Sequence, residues 1–168
     1  VLGSLVLLLP LGRAWRSWGV LLLLPVLLYR APRPPAGELW AEVIDVGQGL
    51  AVLLQTARHD VLFDTGAGEA GRVLLPVLRA RGVVQLDALL LSHHDTDHDG
   101  AADTLLQQLP VRRLFRGQPG SAAGWRGQPC QAGQSWVWDG IRFDVLWPTP
   151  VSQGEDNALS CVLRVATP

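Results

Sequence analysis

The chain has 168 residues, a net charge of −1 at pH 7, 48% hydrophobic residues and 17% charged residues. This length is enough for one domain with a sizeable core, and the composition is apolar for a purely soluble protein. The charge excludes a strongly basic nucleic-acid footprint over the whole chain, which leaves only a local basic patch open. All 14 basic residues are arginine, which is compatible with phosphate recognition but is explained more simply by the composition of the source genome. Methionine is absent even at position 1 and the chain begins within an apolar run, so we expect a piece of a longer polypeptide.

Residues 1–30 are almost wholly apolar. Two apolar runs, Val1 to Leu11 and Trp18 to Tyr29, are each shorter than the roughly 20 residues that a membrane span needs. Aromatic residues and arginines lie at the ends of the second run, as at a membrane interface. We therefore predict one or more transmembrane segments over 1–30, at the end of a multi-pass region. A stiff Pro-rich linker over 31–38 then precedes a second domain.

From residue 39 onward, short apolar strands alternate with amphipathic helices and polar turns. This pattern indicates an α/β domain over 39–168. The predicted strands are 39–46, 50–56, 61–63, 86–91, 111–115, 135–138, 141–147 and 159–165, and the predicted helices are 71–81, with a kink or late start at Pro76, and 101–109. A Gly/Gln/Ser/Pro-rich loop is predicted over 116–133.

The stretch from Ser92 to Gly100 reads SHHDTDHDG and lies on a predicted strand-to-helix loop. His93 and Asp95 alternate along the loop and can converge on one point, while Asp97 and His98 can face a second point nearby. A row of carboxylates repels itself unless cations lie among them. A solvated loop with one Asp capping the helix is the alternative, but capping leaves two histidines at ligand spacing unexplained. We predict two neighbouring divalent cations.

Tryptophans and cysteines carry weaker signals. Trp125, Trp136, Trp138 and Trp147 could stack on nucleotide bases, but such residues more often form the core and rim of a sheet. Cys130 and Cys161 are isolated and lack C-x-x-C spacing, which argues against a zinc ribbon or redox motif. A single disulfide between them stays open.

The pattern His-x-Asp-x-Asp-His at 93–98 resembles the metallo-β-lactamase-fold signature His-x-His-x-Asp-His, with Asp95 in the place of the second histidine. This substitution hardens the ligand set, so the expected metals are zinc or manganese, with magnesium also compatible. The sequence FDTG at 63–66 resembles another motif of this fold. Its Asp64 is expected to support the ligand loop from behind by accepting a hydrogen bond from a ligating imidazole.

The order of motifs is similar to that of the C-terminal part of ComEC-type competence proteins. These motifs are DVGQG at 45–49, FDTG at 63–66, LSHHDTDHDG at 91–100 and DNALSCVLR at 156–164. The resemblance implies a partial, N-terminal half of an αββα metallo-β-lactamase-like fold. It also implies the metal ligands named above and a support role for Asp64, Asp45, Gln48 and Asn157.

This resemblance further implies a bacterial inner-membrane protein that takes up DNA during transformation, with DNA, the lipid bilayer and other competence proteins as partners. The domain is expected to be a two-metal DNA phosphodiesterase in which Asp97 orients the attacking water. Arg112, Arg113 and Arg116 are candidates for contacts to the DNA backbone. The fold also needs a later bridging Asp and a later His, so the fragment alone is expected to be inactive.

Two other classes stay open on the sequence. A different hydrolase of the fold, acting on a thioester, lactone or lactam, would share the metal loop but has no need of a multi-pass membrane region. A non-catalytic module of a DNA channel would keep the fold and lose the metal activity.

Overall fold

The computed structural model describes residues 2–10, 12–117, 127–154 and 156–168. The chain divides into two compact units at the bond between Ala31 and Pro32. The first unit contains helix α1, Leu2–Leu8, and helix α2, Arg13–Leu27, which pack against each other. Pro10 lies between them, and its ring nitrogen carries no N–H group to continue the first helix.

The predicted transmembrane segments over 1–30 fall within the first unit. There the apolar stretch forms two helices, of seven and fifteen residues. Among the residues that the structure describes, no helix is both long enough and apolar enough to cross a membrane.

A mixed six-stranded sheet forms the centre of the second unit. Its strands are β1, Trp40–Val43; β2, Val52–Gln55; β3, Asp60–Phe63; β4, Ala88–Leu91; β5, Leu114–Arg116; and β6, Gln128–Pro129. They are adjacent in chain order, antiparallel from β1 to β3 and parallel from β3 to β6. Helix α3, Gly71–Ala80, connects β3 to β4, and helix α4, Ala102–Gln108, connects β4 to β5.

A second, antiparallel sheet contains β7, Ser135–Trp138; β8, Ile141–Trp147; and β9, Val162–Ala166. A two-residue turn joins β7 to β8, and both of its residues have positive φ, 50° at Asp139 and 88° at Gly140. Asp-Gly turns of this kind match the twist of the flanking strands, which explains the tight hairpin.

The central sheet is covered on both faces, because successive residues of its strands are apolar and point to opposite faces. Leu62 and Leu89 belong to a core shared with α3 and α4, whereas Val61 and Leu90 belong to a core shared with the second sheet. The described part of the unit is thus a layer of helices, a mixed sheet and an antiparallel sheet. This agrees with the α/β class and with the expected first layers of an αββα sandwich.

Most predicted elements exist, with shorter bounds. The strand predicted at 111–115 begins only at Leu114, and Val111 makes a single bridge to Leu86. The last strand begins at Val162 because residues 156–159 form a 3-10 turn. Strand β6 lies inside the predicted 116–133 loop, and residues 118–126, including Trp125, fall outside the described residues.

Two of the tryptophans are partly buried and pack against the core between the two sheets. Trp136 stacks on Phe115 and Phe143, and Trp138 stacks on His59, with ring centroids 4.8–5.4 Å apart. Both indoles therefore pack between the two sheets, as the core interpretation predicted. Trp147 is partly exposed, and its indole N–H donates to the carbonyl of Ala158 at 2.7 Å.

A buried carboxylate joins the two sheets at the edge where β3 begins. Asp139 accepts hydrogen bonds from the hydroxyl of Thr56 at 2.7 Å and from the backbone and side chain of Arg58, and it contacts Nδ1 of His59 at 2.9 Å. Nearby, Arg33 donates twice to Asp60, so residues from the predicted linker are fixed to the second unit.

The charge of Asp139 should make stability depend on acidity. Burial alone would raise the pKa of Asp139, but the hydrogen bonds from Thr56, His59 and Arg58 outweigh it and hold the pKa well below its ordinary value. We expect Asp139→Asn, which tolerates the same backbone conformation, to lower the free energy of unfolding by about 1–3 kcal/mol at pH 7. The measurement is urea unfolding followed by tryptophan fluorescence.

A lowered carboxyl pKa contributes stability above the ordinary value, about pH 4, and this contribution is lost as the pH falls toward the folded value. The difference between native chain and variant should therefore shrink below about pH 4. Glu69→Gln is the control, because it removes an exposed charge paired with Arg72 and should change the stability by less than about 0.5 kcal/mol. A difference that does not vary with pH would contradict the role of the charge.

Candidate metal centre

The loop from Ser92 to Gly100 begins directly after β4, where β3 also ends. Parallel strands bring these carboxyl ends to one edge of the sheet, which is where loops collect functional groups. Within the loop, the carbonyl of Asp95 accepts from the backbone N–H groups of His98 and Asp99. This turn brings the two halves of the motif back toward each other.

Asp64 supports the loop from beneath. One carboxylate oxygen accepts from the backbone N–H of Ser92 at 2.6 Å. The other accepts from the Ser92 hydroxyl at 2.7 Å and from Nδ1 of His98 at 2.8 Å. The Ser92 hydroxyl oxygen also lies 2.9 Å from Nδ1 of His93. One carboxylate and one hydroxyl therefore orient both imidazoles.

The position of Asp64 is unusual in both backbone and environment. Its side chain has no solvent exposure, and its φ is 59°, in the left-handed region. Burial raises the pKa of Asp64 above its ordinary value, although the hydrogen bonds from Ser92 and His98 act in the opposite direction. A buried carboxylate is costly unless it is paired, so these partners are required by the position.

The four predicted ligands lie together on the outer side of this network. Nε2 of His93 is 3.1 Å from a carboxylate oxygen of Asp95, and Nε2 of His98 is 3.9 Å from one of Asp97. The two imidazole centroids are 4.2 Å apart. In the described part of the chain, however, no group of three or more His, Cys, Asp or Glu side chains converges closely enough to hold a metal ion.

The tautomers implied by the network suit a divalent cation. If Nδ1 of each imidazole donates to Asp64 or Ser92, its Nε2 carries the lone pair that a metal requires. Both lone pairs then face carboxylates, an arrangement that is repulsive without a cation between them. The residues present therefore fit metal binding, with His93 and Asp95 on one side and Asp97 and His98 on the other.

Glycines let neighbouring segments touch the loop backbone. A Cβ atom on Gly49 would lie 1.7 Å from the carbonyl oxygen of Asp97, and one on Gly117 would lie 1.8 Å from that of Ser92. Gly100 is similarly close to the carbonyl of Thr96, at 2.2 Å. The hydrogen bond from Leu50 N–H to Asp97 adds to the contact with the DVGQG motif. Three glycines thus hold the loop by its main chain.

Within the described part of the chain, the other predicted support residues make no side-chain hydrogen bond to the metal loop. The exposed Asp45 accepts from the backbone N–H of Gly47, in its own turn. Gln48 is exposed and uses its carbonyl to accept from Ala67. Asn157 is exposed, and its carbonyl accepts from Ser160. Gln48 and Asn157 therefore make these contacts through their own backbone carbonyls, and of the three only Asp45 uses its side chain.

The arginine candidates lie at opposite ends of strand β5. Arg112 pairs with Asp87 at 3.7 Å, and the guanidinium of Arg113 lies 5.5 Å from the ring centroid of Trp138. Both precede β5 and lie at the end of the strands opposite the metal loop. Arg116 pairs in register with Leu91 and so lies at the loop edge.

Two contributions were missed in the sequence. The half-exposed His94 directs Nδ1 at the buried carboxylate of Asp99, and the backbone N–H of Thr65 donates to the carbonyl of His98 at 2.7 Å. The contact between His94 and Asp99 could not be predicted from their five-residue spacing, because an irregular loop has no helical or strand periodicity that would bring the two residues together.

Comparison with known proteins agrees with this fold. Residues 44–138, more than half of the chain, match the family model described as Metallo-beta-lactamase superfamily. The chain therefore belongs to the metallo-β-lactamase superfamily. A flavo di-iron protein from Thermotoga maritima shares the fold, with a TM-score of 0.57 and 14% identity over 76% of this chain and 40% of that one.

Among curated relatives, the chain is 45% identical to Competence protein ComA of Neisseria gonorrhoeae, over 98% of this chain and 23% of that protein. It is 36% identical to Recombination protein 2 of Haemophilus influenzae, over 89% of this chain and 19% of that protein. The predicted resemblance to competence proteins is confirmed. The chain spans about a fifth of the length of these relatives.

The contact between Gly49 and Asp97 can be tested with a matched pair of glycines. We expect Gly49→Ala to weaken Mn²⁺ binding at least tenfold, because its Cβ would displace the Asp97 backbone. Gly47→Ala is the control: it has a similarly positive φ, 79° against 101°, but open space around its Cβ. Calorimetric titration with Mn²⁺ measures the affinity of each variant. Equal losses of affinity in the two variants would mean that backbone strain, and not the contact with Asp97, is responsible.

The support role of Asp64 predicts a second effect on metal binding. Asp64→Asn keeps a side chain that tolerates the left-handed backbone, but its amide N–H₂ cannot accept from His98 or Ser92. We expect Mn²⁺ affinity to fall by about 10–100-fold. Near-ultraviolet circular dichroism checks the tertiary fold, and unchanged affinity in a folded variant would refute the role.

Proposed function

We propose that this chain is the ligand-bearing part of a membrane-associated DNA-uptake protein whose metallo-β-lactamase-type domain hydrolyses phosphodiester bonds in DNA. The observation that carries this proposal is the loop with two imidazoles and two carboxylates, backed by Asp64, in a chain similar to competence proteins. Relatives named for competence and recombination favour DNA over a thioester, lactone or lactam as the substrate.

His93 and Asp95 would hold one divalent cation and Asp97 and His98 the other, with further ligands completing each site. Mixed nitrogen and oxygen donors suit zinc or manganese, and magnesium is compatible with the carboxylates. Bound at such a site, two divalent cations lower the pKa of a water and neutralise charge on the phosphate.

The residues of this chain then have separate tasks. Asp97 would accept a hydrogen bond from the attacking water and orient it toward phosphorus. Asp64 holds His98 through Nδ1, and Ser92 holds His93 in the same way, so that both Nε2 atoms stay directed at the reacting centre. Such fixed orientation is the main contribution a protein makes to phosphoryl chemistry.

The domain is proposed to face an oxidising compartment at the inner membrane. Cys130 and Cys161 form a disulfide in the structure, which resolves the pairing left open by the sequence. Structural disulfides are rare in the bacterial cytosol and persist in the periplasm or outside the cell. Incoming DNA would thus meet the domain before it crosses the membrane.

The test is cleavage of labelled single- and double-stranded DNA by the full gene product that contains these 168 residues, with Mn²⁺, Zn²⁺ or Mg²⁺. We expect metal-dependent cutting that falls by at least 10³-fold in His93→Ala/Asp97→Ala, because both sites lose a ligand. Arg79→Ala is the control, since Arg79 is an exposed arginine in the last turn of helix α3 and contacts Gln108, and it should keep most of the activity.

Other outcomes would separate the competing classes. Hydrolysis of a glutathione thioester without DNA cutting would identify a different hydrolase of the superfamily. DNA binding without cutting under any of the three metals would indicate a channel module that has lost catalysis. Cutting that persists in the double variant would place the active centre elsewhere.

A further inference from the structure

The disulfide joins the two sheets directly beside the metal loop. Cys130 follows β6, the last strand of the central sheet, and Cys161 precedes β9 of the second sheet. Both half-cystines are buried. The bond therefore links two sequence segments, separated by 31 positions, at one end of the interface between the sheets.

Each half-cystine is also hydrogen-bonded toward the start of the loop. The backbone N–H of Cys161 donates to the carbonyl of Ser92 at 2.7 Å. On the other side, the N–H of Cys130 donates to the carbonyl of Arg116 at 2.7 Å, and the N–H of Gly117 donates to Leu91, the residue before Ser92. The disulfide thus connects the two segments that are hydrogen-bonded to Ser92 and to the residue before it.

Packing at this point leaves little freedom. A Cβ on Gly117 would lie 1.8 Å from the Ser92 carbonyl oxygen and 2.7 Å from the Cys161 nitrogen, so the three backbones are in direct contact. A shift of Cys161 is therefore transmitted to Ser92. The segment before Cys161 is a 3-10 turn in which the Ala158 carbonyl accepts a hydrogen bond from the Trp147 indole. The disulfide adds the covalent connection that holds Cys161 in place beside Ser92.

Ser92 controls both imidazoles. Its N–H and hydroxyl bind Asp64, and its hydroxyl oxygen contacts Nδ1 of His93, while Asp64 in the same network binds His98. We propose that the Cys130–Cys161 disulfide is a positioning element for the metal centre, which acts through the Ser92 carbonyl. Loss of the bond loosens the loop and weakens cation binding. This inference rests on the metal site proposed above.

The experiment uses the full gene product that contains these 168 residues, with its disulfide formed, as the native chain, and compares its Mn²⁺ affinity with that of Cys130→Ser/Cys161→Ser. Mn²⁺ is the appropriate probe because it prefers oxygen and imidazole donors and has little affinity for thiols. We expect the dissociation constant to rise about tenfold in the variant. Amide hydrogen exchange at position 161 should accelerate in parallel, because its bond to Ser92 is no longer held.

General destabilisation is controlled by Asp144→Asn. Asp144 binds Arg142 and Arg164 in the second sheet, so this variant weakens the same sheet without touching Ser92, and its Mn²⁺ affinity should equal that of the native chain. If the double Ser variant does not fold, the folded native chain is reduced with a phosphine, with thiol titration confirming two free thiols, and Mn²⁺ binding is measured again.

The outcomes distinguish this inference from the proposed function. Native chain that binds Mn²⁺ only when His93 is intact, as shown by His93→Ala, supports the metal site. Unchanged affinity after loss of the disulfide then overturns the positioning role alone. Failure of the native chain to bind Mn²⁺ overturns both.

Discussion

The hydrogen bonding of one buried carboxylate determines how the candidate site is built. Asp64 has no contact with solvent, so its charge is tolerable only if donors surround it. Those donors are Ser92 and His98, at the start and near the end of the same loop. If the loop moved away, the buried carboxylate of Asp64 would lose its hydrogen-bond donors. Burial of Asp64 therefore requires the loop conformation that also orients the imidazoles.

Backbone contact supplies the second constraint. Gly49 and Gly117 belong to segments far from the loop in sequence, and each touches a carbonyl oxygen of the loop at a distance that excludes any side chain. Side-chain ligands on a flexible loop would lose affinity to the entropy of ordering. Fixing the main chain from several sides lowers that cost, and it holds the four candidate ligands of a nine-residue irregular segment in defined positions.

The sequence revealed elements and local chemistry better than tertiary partners. A short continuous apolar run such as 61–63 is consistent with a strand covered on both faces, and the dense polar loop after an apolar strand predicts the site. Neither reveals which strands are neighbours, so the Cys130–Cys161 bond and the contact of Asp139 with His59 could not be derived. Asn157 illustrates the same limit, because a motif shows which residue recurs and not whether its side chain or its backbone makes the contact.

The two ends of the parallel strands have different tasks. At the end where the strands begin, Arg33 pairs with Asp60 and Arg58 with Asp139, and these pairs tie the linker and both sheets together. At the other end lies the loop. Four-residue strands separate the two by about 13 Å, beyond the range at which substitutions usually couple. Stability can therefore change at one end of the strands while the geometry of the candidate ligands at the other end is preserved, because the ion pairs that stabilise the domain lie apart from the loop.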